Sequence, residues 1–202
     1  MKIGPKYKIS RRLGAPIFEK TQTPKYALSL ARKEKNDKRG RRKSQSEFGH
    51  ELIEKQKARY SYGLSEAQFR IYVNKALRTK DPIQKLFGIL ESRLDNIVYR
   101  AGLAKTRAQA RQAVNHGHIM VNNKCASIPS MLLSEGDVIN LCPSSVSSPL
   151  FGEVEERMKI IMIPAWLQID AERKQATVFG QSIYVARENV FDLGTVIEFY
   201  NR

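Results

Sequence analysis

Residues 92–123 read SRLDNIVYRAGLAKTRAQARQAVNHGHIMVNN, and this stretch organises the chain. Four apolar residues recur at helical spacing and predict the buried face of a first helix: Leu94, Ile97, Val98 and Ala101. Gly102 would end that helix in a left-handed conformation. Thr106 and Gln109 then form a capping box that starts a second helix, which Gly117 ends. The second helix has a narrow apolar side that we expect to be buried: Ala108, Ala113 and Val114.

Short strands follow these two helices. Ile119 and Val121 alternate with other side chains as a half-buried strand does, and Asn122-Asn123 suits a tight hairpin turn. Further strands are predicted at 125–128, at 138–141 and on both sides of 170–174. Together they predict an antiparallel sheet packed against two helices.

The outward positions of the helical pair are nearly all cationic. Five basic residues fall within this stretch, against the single acid Asp95: Arg93, Arg100, Lys105, Arg107 and Arg111. The start of a helix also offers free N–H groups and a positive dipole end. A phosphate-binding surface is therefore predicted there. The alternative, a solvated basic face, fits less well because such faces normally mix both signs of charge.

The stretch resembles a known family. The order R-L-D-N-h-h-Y-R-x-G, then T-R-x-x-A-R-Q-h-h-x-H-x-x-h-x-V-N, is similar to the small RNA-binding domain of the fourth protein of the small ribosomal subunit. E-K-Q-K-x-R from Glu54, Y-G-L-x-E-x-Q-F from Tyr62 and V-I-E-F-Y-N-R from Val196 resemble the same family. The resemblance covers most of the chain.

Charge along the 202-residue chain is uneven. The formal charge is +15; residues 1–46 hold 15 Lys/Arg and 3 Asp/Glu, a net +12, and residues 47–202 hold 20 and 17, a net +3. A strongly basic chain is typical of proteins that bind polyanions. Glycines and prolines interrupt the first 46 residues, so we predict an extended basic arm that binds RNA phosphates. A disordered solubilising tail is the alternative.

Residues 47–91 read as helices. Phe48, Leu52 and Ile53 mark the apolar side of the first. Ser65 caps the second, and Asp81-Pro82 starts the third. The second carries a full apolar stripe that predicts core positions: Phe69, Tyr72, Val73, Ala76 and Leu77.

The predicted fold class is α+β, a helical domain with an inserted small RNA-binding domain and an extended basic arm. The arm takes residues 1–46 and the helical domain residues 47–91. The RNA-binding domain takes residues 92–179, with its core at 92–142 and additional strands beyond a serine-rich loop at 143–149. The resemblance implies that residues 180–202 rejoin the helical domain.

The cysteine pattern argues against a metal site. Cys125 and Cys142 belong to no C-x-x-C pair, and the arm lacks the cysteine cluster that binds zinc in some family members. Their number allows a disulfide, although we expect free buried thiols. No apolar run reaches signal-peptide or membrane-spanning length, so a soluble protein without a membrane partner or cofactor is expected.

Catalysis is the alternative class of function. The RNA-binding domain also occurs in some pseudouridine synthases, whose catalytic aspartate lies in a similar R-L-D. Only residues 142–202 follow Leu141, and they contain no second group of polar residues that could complete a catalytic site. We therefore expect no enzyme, and we expect Asp95 to pair with Arg93 or a neighbour. A free-standing RNA-binding module acting on ribosomes or structured RNA is the other alternative.

The resemblance implies a structural ribosomal protein that binds the five-prime domain of small-subunit ribosomal RNA at a helix junction. It implies early binding that nucleates subunit assembly, contacts with the fifth small-subunit protein and with messenger RNA where it enters, and a contribution to translational accuracy. R-R-L-G-A, K-S-Q and V-N-H-G-H-I favour a plastid ribosome over a bacterial one. The expected RNA contacts are Arg11, Arg12, Arg41, Arg42, Lys43, Lys57, Arg59, Arg93, Arg100, Lys105, Thr106, Arg107, Gln109, Arg111 and His116.

Overall fold

The computed structural model describes residues 3–36 and 46–201. Within them are ten α-helices: α1 Lys6–Leu13, α2 Pro24–Asn36, α3 Glu47–Ser61, α4 Glu66–Leu77, α5 Pro82–Glu91, α6 Leu94–Arg100, α7 Arg107–Asn115, α8 Pro143–Val146, α9 Val154–Ile160 and α10 Leu193–Asn201. The five strands in the same residues are β1 Ile119–Val121, β2 Lys124–Ala126, β3 Val138–Leu141, β4 Leu167–Asp170 and β5 Gln175–Val178. The predicted α+β class is confirmed. No helix among the described residues is long and apolar enough to cross a membrane.

The chain divides into two compact units. One comprises Met1–Leu86 with Val185–Arg202, and the other comprises Phe87–Tyr184. We call them the helical unit and the sheet unit.

The sheet unit contains all five strands in the order β2-β1-β3-β5-β4, and every neighbouring pair is antiparallel. In the β1–β2 turn φ is positive at both Asn122 and Asn123, 48° and 63°, as the two central residues of a type I′ hairpin turn require. Helices α6, α7 and α9 supply the other wall of one apolar core, whose fully buried members include Leu94, Ile97, Ile119, Ile139 and Met158. The predicted first-helix face, 94, 97, 98 and 101, is wholly buried.

The apolar face of α7 differs from the prediction at one position. Ala110, Ala113 and Val114 are buried, whereas Ala108 is exposed. Positions 110, 113 and 114 follow the i, i+3, i+4 rule, and position 108 lies on the other side of the helix. Residues 143–149, predicted as a loop, instead contain α8, because Ser145 and Phe151 pack inward beside His118.

The helical unit is built on α3, which packs against α10 and α1, and α10 also contacts α4. The ring centroids of Phe48 and Phe199 lie 5.6 Å apart, and those of Tyr62 and Phe191 lie 6.0 Å apart. The buried positions of α3 are mostly polar: Glu51, Glu54, Lys55 and Ala58. The predicted apolar side is therefore wrong in part, since Phe48 remains 51% exposed.

The arm is not extended over its described residues. It forms α1 and α2, and a buried cluster of Leu13, Ala15, Ile17 and Phe18 packs against Ile53 and Tyr60 of α3. The glycines and prolines bound these helices instead of preventing them. Pro5 precedes the first turn of α1, and Gly14 ends the helix at φ 69°.

Both cysteines are free thiols. Cys142 is buried, as predicted, but Cys125 is exposed because it lies on the edge strand β2.

Candidate nucleic-acid interface

A buried aspartate of α6, Asp95, holds two arginines in place, and one of them belongs to α7. The Asp95 side chain is 3% exposed and accepts two hydrogen bonds from Arg93, Nε to Oδ1 at 3.0 Å and Nη2 to Oδ2 at 2.8 Å. Arg111 of α7 donates from Nε to Oδ2 at 2.8 Å. The predicted Asp95–Arg93 pair is confirmed. Charge-assisted bonds of this length fix both guanidinium groups.

A second buried carboxylate, Glu91, holds Arg100 and Asn96 in place. Glu91, whose side chain is 1% exposed, accepts from Arg100 through Nε at 2.9 Å and Nη2 at 2.9 Å. The Asn96 amide also donates to Glu91, at 2.9 Å, and its Oδ1 accepts from Arg107 Nε at 2.8 Å. Arg107 is thus linked to Glu91 through Asn96.

These residues form one set, which we call the guanidinium network: Glu91, Arg93, Asp95, Asn96, Arg100, Arg107 and Arg111. Two carboxylates face four guanidinium groups, so the network keeps a formal charge of +2 although each arginine is held in place. Arg107 also lies over the Tyr99 ring, with its Cζ 4.5 Å from the centroid. A preorganised cationic surface loses little side-chain freedom when it binds phosphates.

The members of the network differ in exposure. The Arg93 side chain is only 4% exposed, so its guanidinium group supports the surface from within. Arg100 and Arg111 reach solvent with 32% and 25% of their side chains. Arg100, Arg107 and Arg111 therefore present the charge, and Arg93 holds Asp95 in place.

The start of α7 is capped by its own side chains. Thr106 Oγ1 accepts from the Gln109 N–H at 3.1 Å, and Gln109 Oε1 accepts from the Lys105 N–H at 2.8 Å. Lys105 Nζ pairs with Glu153 at 2.5 Å, and this hydrogen bond lowers the pKa of the Glu153 carboxyl. Thr106 and Gln109 thus shape the helix start, while Lys105, with 57% of its side chain exposed, lies beside it in a solvent-exposed ion pair with Glu153.

The two histidines after α7 have different surroundings. His116 is exposed at the end of α7. His118 is half-buried, with Nδ1 2.9 Å from Ser145 Oγ and its ring edge-on to Phe151. His116 is the one that faces solvent beside α7.

The expected contacts in the helical unit are less uniform. Arg11 and Arg12 lie exposed in the last turn of α1. Lys57 pairs with Glu54 at 2.6 Å. Arg59 bonds Gln56 and lies 4.4 Å from the centroid of the Tyr60 ring. Arg41, Arg42 and Lys43 lie outside the described residues.

Sequence reasoning gave no role to three supports of the network. Glu91 ends α5 as a single acid, and nothing in its neighbourhood marks it as the partner of Arg100 nine residues on. Tyr99 belongs to the quoted Y-R pair but gives no sign of lying beneath Arg107. Asn96 lies in the R-L-D-N pattern, and its amide can both donate and accept, but only the fold brings Glu91 and Arg107 to it.

Comparisons with known proteins identify the family of the chain. Residues 1–91 match the family described as "Ribosomal protein S4/S9 N-terminal domain", and residues 92–139 match the S4 domain. The small ribosomal subunit protein uS4 of Aquifex aeolicus (strain VF5) is 39% identical, with 99% of this chain and 98% of the relative covered. The chain belongs to the uS4 family.

Other members of the uS4 family are equally similar. That of Syntrophomonas wolfei is 44% identical over 81% of this chain and 78% of its own. That of Mycobacteroides abscessus is 38% identical over 98% of both chains. The uS4 proteins are structural components of the small ribosomal subunit, and this membership confirms the prediction that the chain is not an enzyme. Among residues 3–36 and 46–201, no group of three or more His, Cys, Asp and Glu side chains is placed to hold a metal ion.

Proposed function

We propose that this protein binds the five-prime domain of small-subunit ribosomal RNA, where several RNA helices meet, through the guanidinium network. The observation that carries the proposal is the pair of buried carboxylates, because they hold three arginines directly and Arg107 through Asn96 while leaving a positive surface. A junction brings phosphates close together, and fixed cations reduce their repulsion.

Recognition is proposed to rest on shape and backbone. Guanidinium groups bind phosphate oxygens in bidentate geometry, and double-stranded RNA offers side chains few base edges. The proposed contacts are Arg100, Lys105, Arg107, Arg111 and His116 in the sheet unit, with Arg11 and Arg12 in the helical unit. Lys57 and Arg59 are weaker candidates, since only 17% and 12% of their side chains are exposed. Arg41, Arg42 and Lys43 are proposed on their sequence alone.

The proposed biological role rests on the family resemblance. We propose that binding nucleates subunit assembly, and that the protein contacts the fifth small-subunit protein and messenger RNA where it enters, contributing to accuracy. We also propose a plastid ribosome, on R-R-L-G-A, K-S-Q and V-N-H-G-H-I alone, since the relatives named above are bacterial. Locating the reading frame in a plastid or a bacterial genome decides this point.

Filter binding to a five-prime-domain transcript, titrated with salt and competed with tRNA, tests the proposal. Arg107→Ala and Arg111→Ala should each weaken binding by about 1–3 kcal/mol. Arg173→Ala is the matched control, because it removes an arginine whose side chain is 79% exposed in the same unit. Urea unfolding of each variant separates lost contacts from lost structure.

Equal competition by tRNA, or equal losses in the control, would contradict specific binding by the network. The free-standing RNA-binding module would then be the better description. Sedimentation with free cytosolic proteins in place of ribosomal subunits would support that second reading.

A further inference from the structure

The two thiols of the chain meet on the sheet unit. Cys125 Sγ lies 3.4 Å from Cys142 Sγ, although 17 positions separate them in sequence. Cys125 lies on β2 opposite Met120, and Cys142 follows β3, where its N–H donates to the His118 carbonyl at 2.9 Å. The folding of two strands against β1 therefore places a dithiol at one end of the sheet.

The two thiols differ in exposure. Cys125 is exposed, whereas Cys142 is buried and its Sγ lies 3.1 Å from the Gly117 carbonyl. Burial, with a contribution from Cys125, raises the pKa of the Cys142 thiol to about 11. The thiolate is the reactive form, so Cys142 is a poor first target for an oxidant at neutral pH. Cys125 is the thiol that a dissolved oxidant meets.

The local structure permits the sulfurs to join. A disulfide needs an S–S separation of about 2.05 Å, so the sulfurs must approach by about 1.4 Å. Strand β2 is an edge strand with β1 as its one neighbour in the sheet, and it is reached through a two-residue turn. Cys142 lies just outside β3 and forms the N-cap of α8. Both ends can therefore move without breaking the central strands.

We propose that Cys125 and Cys142 form an oxidisable dithiol site, at which a peroxide closes an intramolecular disulfide. Peroxide oxidises the Cys125 thiol to a sulfenic acid and is reduced to water. The Cys142 sulfur then attacks the Cys125 sulfur, the S–O bond breaks, and the proton of Cys142 leaves with the hydroxyl group as a second water. A dithiol reductant returns the two electrons and restores both thiols. The disulfide joins the edge strand to the start of α8.

The test oxidises the reduced full chain with one equivalent of hydrogen peroxide, alkylates the remaining thiols in denaturant and measures intact mass and peptides. The expected product is a monomer in which neither cysteine is alkylated. Its intact mass is lower by two hydrogen atoms, and its digest contains one disulfide-linked peptide that joins Cys125 to Cys142. In Cys142→Ser, the Cys125 sulfenic acid should persist and be trapped by dimedone. Without dimedone, a second equivalent of peroxide should oxidise it to sulfinic acid. Circular dichroism checks that the variant folds.

A second probe needs no oxidation. The reduced protein should bind one equivalent of phenylarsine oxide, which requires two neighbouring thiols, and Cys125→Ser or Cys142→Ser should abolish this binding. Two results in the wild-type chain would overturn the proposal, both with Cys142 still open to alkylation. One is sulfinic acid at Cys125, and the other is a disulfide-linked dimer. RNA affinity is not a readout here, so this result is independent of the function proposed above.

Discussion

At the residue scale, the negative charges matter as much as the positive ones. Asp95 and Glu91 are buried, and a buried carboxylate is stable only when it is paired. Each is satisfied by arginines that the sequence marks as RNA ligands. The acids therefore convert flexible cations into a surface of defined shape.

This role predicts an effect opposite to that of simple electrostatics. Asp95→Asn raises the net charge, yet it should weaken binding to the five-prime-domain transcript by about tenfold or more, about 1.4 kcal/mol, because Arg93 and Arg111 lose their anchor. Binding to tRNA should remain or strengthen. Filter binding with both RNAs measures the difference.

The control is Asp170→Asn, which removes the same charge from the partly exposed β4–β5 turn. Breaking a buried pair also costs stability, about 3–5 kcal/mol, so binding is compared at a temperature where urea unfolding shows the variant to be folded. Tighter binding of the transcript by Asp95→Asn would show that Asp95 and Glu91 only reduce the positive charge of the surface and do not position its arginines.

At the scale of elements, the E-K-Q-K-x-R run of α3 joins the helices of its unit. Glu54 accepts from the Asp192 N–H at 2.9 Å, just before α10. Lys55 Nζ bonds Glu66 of α4 at 2.9 Å and lies 4.7 Å from the centroid of the Phe199 ring of α10. The motif has a structural use in this protein, whatever it contacts on RNA.

Glu66 gives this junction a pH dependence. Burial raises its pKa, but hydrogen bonds from Tyr200 and Lys55 outweigh burial, so the pKa of Glu66 is lowered. Its contribution is complete above the ordinary glutamate pKa, about 4.3, and is lost as pH falls through the lowered value.

Tyr200→Phe tests this, because the Tyr200 hydroxyl donates to Glu66 at 2.7 Å. Near neutral pH it should lower the free energy of unfolding by about 0.5–1.5 kcal/mol, and the loss should shrink as acid protonates Glu66. Urea unfolding at several pH values measures it. In a Glu66→Gln background the pH dependence of the loss should disappear; if it persists, another group is responsible.

At the scale of the whole molecule, charge and shape are divided between segments. Residues 1–46 hold a net +12 of the +15, whereas the guanidinium network holds only +2. If the protein binds RNA as proposed, long-range attraction would come mainly from the first segment, and geometric discrimination would come from the sheet unit.

This division predicts different salt responses. Arg11→Gln with Arg12→Gln should reduce the magnitude of the salt slope by about 1 per residue and weaken specific and non-specific RNA binding by the same factor. Arg11→Lys with Arg12→Lys keeps the charge and should leave the slope unchanged. Filter binding across a salt series distinguishes the two. A selective loss for the five-prime-domain transcript would instead assign these arginines to specific recognition.

The sequence by itself determined the local structure and the family. The caps at Ser65 and Thr106, the turn at Asn122-Asn123 and the buried face of α6 depend on residues within about one helical turn or one hairpin, so neighbouring side chains suffice to predict them. The prediction of an extended arm failed because α1 and the residues that follow it depend on burial against α3 and not on local propensity.

Only the tertiary structure decided the partners. It joined Glu91 to Arg100 and Asp95 to Arg111, brought α10 back to α3, and placed Cys125 beside Cys142. These pairs lie 9 to 151 positions apart, and many other pairings of the same residues satisfy the sequence equally well. The packing of the elements selects the pairs that form. A charge that packing removes from water needs a counter-charge within reach, and the fold decides which residue that is.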